Sequence, residues 1–216
     1  LEAGEKFVSE SGAMYRASPN MEISVESRKK KDDGLWGAFK SGIKAMFAGE
    51  SFFLSSYTPN DGQSAEVGLA PTHQGEVRSV KVGPDVWICS GGSYLGSSGG
   101  IILDTQYQGL TKGMFSKEGL VFVQASGEGD LLVNGFGRIS SVDVSGGVTI
   151  DNGHLIAFTE GLEYTITKAG SGWISSMISG EGLVMNFRGQ GKVLVQSHDP
   201  SRLGGVLGPM LPPRES

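Results

Sequence analysis

The feature that most limits what this chain can become is an internal repeat. Met46-Phe47-Ala48-Gly49-Glu50-Ser51-Phe52-Phe53-Leu54 returns as Met114-Phe115-Ser116-Lys117-Glu118-Gly119-Leu120-Val121-Phe122. It returns again as Met177-Ile178-Ser179-Gly180-Glu181-Gly182-Leu183-Val184-Met185. Upstream, Phe7-Val8-Ser9-Glu10-Ser11-Gly12 aligns with Trp87-Ile88-Cys89-Ser90-Gly91-Gly92 and with Val148-Thr149-Ile150-Asp151-Asn152-Gly153. Downstream, Ala65-Glu66-Val67-Gly68-Leu69 parallels Gly129-Asp130-Leu131-Leu132-Val133 and Gly191-Lys192-Val193-Leu194-Val195. Two units close alike, at Val77-Arg78-Ser79-Val80-Lys81-Val82 and Ile139-Ser140-Ser141-Val142-Asp143-Val144. The order of blocks sets three units, 1–82, 83–145 and 146–203, followed by a tail, 204–216.

Within each unit, apolar runs of a few residues are bounded by Gly, Asn, Asp or Ser, the punctuation of short strands. Met21-Glu22-Ile23-Ser24-Val25 and Tyr164-Thr165-Ile166-Thr167 alternate as half-buried strands do. The 35 glycines are spread among these runs, which fits tight turns and not a disordered glycine-rich chain. The expected fold is therefore all-β: three tandem β-sandwich-like repeats, with few short helices. A unit that cannot bury its own apolar face stacks on its siblings, so the repeats are expected to form one pseudo-threefold body. The first unit carries two polar insertions, near 28–37 and 58–63, which read as surface loops.

Function classes narrow by chemistry. The single cysteine, Cys89, excludes an intrachain disulfide, and its place in Val86-Trp87-Ile88-Cys89 reads as a buried strand position. A net charge of −5 gives no general attraction to nucleic acid. No apolar run approaches the ~20 residues that span a bilayer, and the expected location is the cytoplasm. Gly96-Ser97-Ser98-Gly99-Gly100 matches the G-x-S-x-G pattern of hydrolases, but the following Ile101-Ile102-Leu103 reads as a strand where a nucleophile elbow needs a helix. His73, His154 and His198 lack metal-ligand spacing. No catalytic residue, cofactor or metal is expected, and the chain reads as non-enzymatic.

Three positions recur and one region stands apart. Glu50, Glu118 and Glu181 are repeat-equivalent. They form either three matching ligand positions or three carboxylates that accept backbone N–H bonds at turns, and the structural role fits better. In the first unit, Leu35, Phe39, Ile43 and Phe47 fall at helical spacing with Trp36 alongside. Lys40 lies near the polar side, and Lys29, Lys30 and Lys31 precede the segment. Such a helix either caps the core or lies on an anionic membrane or partner surface. Shorter counterparts near 110–115 and 173–178 favour the packing role. Leu203, Val206, Leu207, Met210 and Leu211 also sit at helical spacing, weakened by Gly204, Gly205 and Gly208 and stopped by Pro212-Pro213.

The tracts Ser11-Gly12-Ala13-Met14, Gly49-Glu50-Ser51-Phe52-Phe53-Leu54, Asp151-Asn152-Gly153-His154-Leu155 and Ser179-Gly180-Glu181-Gly182-Leu183-Val184 carry a family resemblance. Nearly the whole chain resembles bacterial relatives of the altered-inheritance-of-mitochondria protein of yeast. The resemblance implies a fold like the tryptophan RNA-binding attenuation protein, repeated three times per chain. It also implies self-association into a homo-oligomer and, from the mitochondrial relatives, a link to membrane organisation. It brings no catalytic residues. The expected function is a scaffold or interaction protein, with peripheral membrane association as one form of it; the alternative is a small-ligand or RNA-binding module of the same fold. The only basic run lies in one insertion, which disfavours RNA.

Overall fold

The computed structural model describes residues 1–27, 53–108, 120–168 and 183–212. Among them the chain is all-β, with fifteen strands and one short α-helix. The strands are β1 (Phe7–Glu10), β2 (Met14–Ala17), β3 (Met21–Ser27), β4 (Phe53–Pro59), β5 (Val67–Leu69), β6 (Val77–Val82), β7 (Trp87–Ser90) and β8 (Tyr94–Ser98). They continue as β9 (Ile101–Gln108), β10 (Leu120–Gly127), β11 (Gly129–Asn134), β12 (Ile139–Asp151), β13 (Leu155–Thr159), β14 (Glu163–Lys168) and β15 (Leu183–Gln196). Helix α1 spans Pro200–Leu207.

The sheets take strands from distant parts of the chain. One has the order β3-β4-β1-β8-β11-β6. A second runs β12-β15-β13-β7-β10-β9, with β14 added on β15, and β2 and β5 form a two-stranded ribbon. All ladders between named strands are antiparallel. The order β3-β4-β1 recurs as β9-β10-β7, and again as β14 and the ends of β15 and β12.

Three cores lie between these layers. Met21, Tyr57 and Ala65, with Phe7, Ala17 and Val67, join the β2–β5 ribbon to the first sheet. Trp87, Cys89, Leu131, Ile156 and Leu194 join the first sheet to the second. Phe122, Phe158, Met185, Phe187 and Val193 fill the fold between the second sheet and the bent ends of β12, β14 and β15. Phe122, Phe158, Tyr164 and Phe187 meet there edge-on or tilted, with centroids 5.0–6.1 Å apart.

One strand can serve two layers only if it bends. In the β12–β15 ladder, Gly146 stands opposite Gly189, with φ of 128° and 108°. Both angles are in the region that L side chains rarely adopt, so glycine supplies the corner. Residues 145 and 146, where the second and third units are expected to meet, thus lie inside a single strand. A different glycine sets the contact between β1 and β8. Gly96 of β8 stands opposite Ser9 of β1, and a Cβ there would meet Phe7 Cε1 at 2.6 Å and the Val8 carbonyl oxygen at 2.9 Å.

Buried polar groups are matched locally. Ser9 Oγ and Tyr57 Oη lie 3.0 Å apart, and Trp87 Nε1 donates to the Lys81 carbonyl at 3.1 Å. Ile139 is clamped by two side chains. Its N–H donates to Glu76 Oε2 at 2.8 Å, and its carbonyl accepts from Arg78 Nη2 at 2.6 Å. Glu76 and Arg78 pair at 2.9 Å.

The alternating segment at 21–25 does form a strand, but its apolar face is largely uncovered by described residues. Met21 is buried, whereas Ile23 and Val25 are 45% and 66% exposed. The strand is an edge of its sheet, and only its first residue reaches the Tyr57 cluster.

Three outcomes follow from this packing. Cys89 is fully buried and its thiol is pushed up to about 12, so a thiol reagent should react with the native protein only as fast as it unfolds. Thiol release against denaturant concentration checks this. Gly96→Val should lower stability by about 1–3 kcal/mol in urea unfolding, because the Phe7 ring and the Val8 backbone have to move. The Ile139 N–H, then Arg78, hold the Glu76 carboxyl below its ordinary range. Its contribution is therefore present above the unfolded value and is lost as pH falls through the folded one. Glu76→Gln should flatten that acid-side loss in a fluorescence melt of Trp87.

Candidate functional site

The positions singled out in the sequence fall in the links between hairpin strands. Lys29, Lys30, Lys31, Trp36, Phe39, Lys40 and Glu50 lie between β3 and β4, Glu118 between β9 and β10, and Glu181 between β14 and β15. All are outside the described residues. The described body must therefore supply the site geometry.

Ser98 ends β8, and its Oγ accepts from the Asp130 N–H at 3.0 Å while lying 3.4 Å from the Asp130 carbonyl. It fastens the β8–β9 turn to β11, and a strand follows it, not a helix. His154 closes a 3-10 turn over Asn152–His154, capped by Asp151. Its Nδ1 lies 2.8 Å from the Gln196 carbonyl, which can only accept, so Nδ1 carries the proton. Gln196 Nε2 in turn donates to the Gly153 carbonyl at 2.8 Å. His73 and His198 both stack against Phe136, at 5.9 and 5.3 Å between centroids. Among the described residues, no three His, Cys, Asp or Glu side chains form a group that could hold a metal. An open groove is lined by Asp85, Asp143, Glu160 and Lys192. Three carboxylates against one ammonium make it unsuited to an anionic ligand.

The surface with unspent binding capacity lies elsewhere. Strand β8 is hydrogen-bonded on both edges, to β1 and β11, and β13 likewise to β7 and β15. Strand β2 has the same form. In each of the three, the ladder skips one residue, at Tyr15, Leu95 and Ile156, between matched neighbours. Yet among the described residues β2 pairs only with β5. Its Met14 and Tyr15 are exposed, Tyr15 at 65%.

A matching deficit lies at the other end of the stack. Phe7 of β1, Trp87 of β7 and Val148 of β12 stand opposite Tyr57, Ala125 and Phe187 in corresponding ladders. β1 and β7 each have a second partner; among the described residues β12 has only β15. Helix α1 begins beside that edge. Asp199 caps it by accepting from the Ser201 N–H at 2.8 Å, and Arg202 lies 3.7 Å from Asp151, the last residue of β12. None of its residues is buried, and Leu203, Val206 and Leu207 are exposed together with Met210 and Leu211 just beyond.

Sequence reasoning found the apolar tail and the strand that follows Ser98. It did not single out β2 and residues 148–151 of β12, each paired on one side among the described residues. The available signal was the absence of a third closing block after 190–196, where the first two units continue into β6 and β12.

Comparison with known proteins places the chain. The family model described as mitochondrial biogenesis AIM24 matches residues 1–198. An uncharacterized protein of Streptococcus pyogenes serotype M6 is 30% identical over 215 residues, covering 98% of this chain and 85% of that protein. A crystal structure of a Streptococcus pyogenes protein superposes with a TM-score of 0.78 at 28% identity, over 98% of this chain and 92% of that one. With matched sequence across all three sheet-forming regions, the chain belongs to the AIM24 family.

Proposed function

We propose that this protein is a non-enzymatic scaffold that acts by self-association and by presenting a surface to a membrane or protein partner. The observation that carries the reading is the apolar helix α1, which buries none of its residues on the described body while exposing Leu203, Val206 and Leu207. Exposed apolar side chains gathered on one element mark an interaction site. Ser98 and His154 are meanwhile engaged in structural bonds, with Asp130 and Gln196.

The recurring strand order supports a body of three tandem units, with the unit-specific parts carrying the specific contacts. The basic run Arg28-Lys29-Lys30-Lys31 belongs to one unit alone and precedes the longest of the three apolar segments, the one with Trp36 and Phe39. That composition suits an anionic lipid surface facing the cytoplasm, to which each basic residue adds about 1 kcal/mol. No helix among the described residues is long and apolar enough to cross a membrane, and the proposed association is peripheral.

Light scattering should give a mass above the 22.7 kDa of one chain, rising with concentration. Flotation with vesicles of anionic lipid should recover the protein, and replacing Lys29, Lys30 and Lys31 by Gln should reduce recovery without lowering the scattering mass. A chain that stays monomeric at every concentration and sediments free of vesicles would overturn the proposal.

A further inference from the structure

We infer that α1 and the turn after it lie on a lipid surface, with Leu203, Val206, Leu207, Met210 and Leu211 set among the acyl chains, and that hydrocarbon, not charge, makes this contact. The inference rests on the scaffold reading and names the partner of its apolar helix.

The helix is held at its root and stands off the body beyond it. Asp199 accepts from the Ser201 N–H at 2.8 Å, and Arg202 lies 3.7 Å from Asp151 and 3.8 Å from Asp199. A 3-10 turn over Gly208–Met210 continues the helix, closed by the Leu211 N–H on the Gly208 carbonyl. Every residue from 201 to 212 is exposed.

The two sides of this rod differ in kind. Leu203, Val206, Leu207, Met210 and Leu211 follow the spacing of one helical face, and Ser201, Gly204, Gly205 and Gly208 fall on the opposite one. No residue from 203 to 213 is charged. Glycine is among the poorest helix formers, so three in so short a helix call for a reason. The described body supplies none. None of the three has a positive φ, and a Cβ at each would meet nothing within 4 Å. What the glycines give is a smooth, uncharged back behind a full apolar face. Such a helix enters lipid where acyl chains lie bare between headgroups, as packing-sensing amphipathic helices do.

Charge and size both decide for this partner. Arg202, the cation at the root, is already paired with Asp151 and Asp199, so an anionic headgroup gains little from it. Residues 200–211 make a rod about 18 Å long and about 10 Å across, one face of which covers on the order of 200 Å². A stable protein interface takes about 800 Å² from each partner. A lipid surface needs no matching groove. It also receives the helices of every copy in a self-associated scaffold together, so contacts that are weak singly add up.

The test floats the full chain with vesicles of neutral phosphatidylcholine, either small and strongly curved or large and nearly flat. Curved vesicles expose more hydrocarbon and should recover about fivefold more protein, with no loss when salt is raised. Leu207→Asp should cut that recovery about tenfold while leaving the melting temperature unchanged, since Leu207 is exposed in the free protein. Gly205→Ala, on the uncharged side, should float at least as well as the wild type. If Leu207→Asp floats like the wild type, or if recovery needs anionic lipid and disappears in salt, α1 is not the lipid contact and the scaffold reading survives with its basic segment. If neutral vesicles recover nothing and Leu207→Asp lowers the scattering mass, the helix docks on another copy and the inference is overturned. A strict monomer that binds no vesicle of either charge would end both readings.

Discussion

Every layer of this molecule depends on backbone hydrogen bonding between strands far apart in sequence. The ladder of β1 with β8 joins residues about ninety positions apart, and that of β7 with β13 about seventy. Each sheet combines three strands from one part of the chain with others from the next. The cores follow from this sharing. A core forms where strands of one sequence unit, divided between two sheets, turn their apolar faces toward each other. β1 and β7 could not keep their backbone groups satisfied with local strands alone, since β8 and β13 come from farther along the chain.

Much of this arrangement is legible in the sequence, and the limit is physical. Short glycine-bounded apolar runs predict strands, and strands appear at Trp87–Ser90, Ile101–Gln108 and Leu155–Thr159. Asp151-Asn152-Gly153-His154 predicts a turn, and Asp151 caps one there. Cys89 reads as a buried thiol and is fully enclosed. Pairing partners are not legible, because a strand's alternation records which face is buried and not which strand lies beside it. Nor is exposure at Ile23 and Val25, where the pattern is that of a covered face.

The site was harder to read than the fold for a related reason. Catalytic and metal sites announce themselves by residue type and spacing. An interaction edge is made of main-chain groups that every residue carries, so residues 148–151 look like any other strand. Among the described residues this segment is paired on one side, whereas β1 and β7 are paired on both. The recurring Glu50, Glu118 and Glu181 and the basic segment at Lys29, Lys30 and Lys31 remain where sequence places them, in the links between hairpin strands.

Shared sheets also have a consequence in time. As the chain leaves the ribosome, β1, β3 and β4 are available early, but the sheet they begin has no place for its next strand until β8 and β11 have been made. The same delay recurs for β7, β9 and β10, which wait for β13 and β15. During synthesis the growing protein therefore carries an open strand edge at its leading end, moved forward by one unit each time a sheet closes. Contacts so distant in sequence form slowly, and exposed edges are where nascent chains meet one another. Gly146 and Gly189 let β12 and β15, the last partners to be made, bend into the final layer.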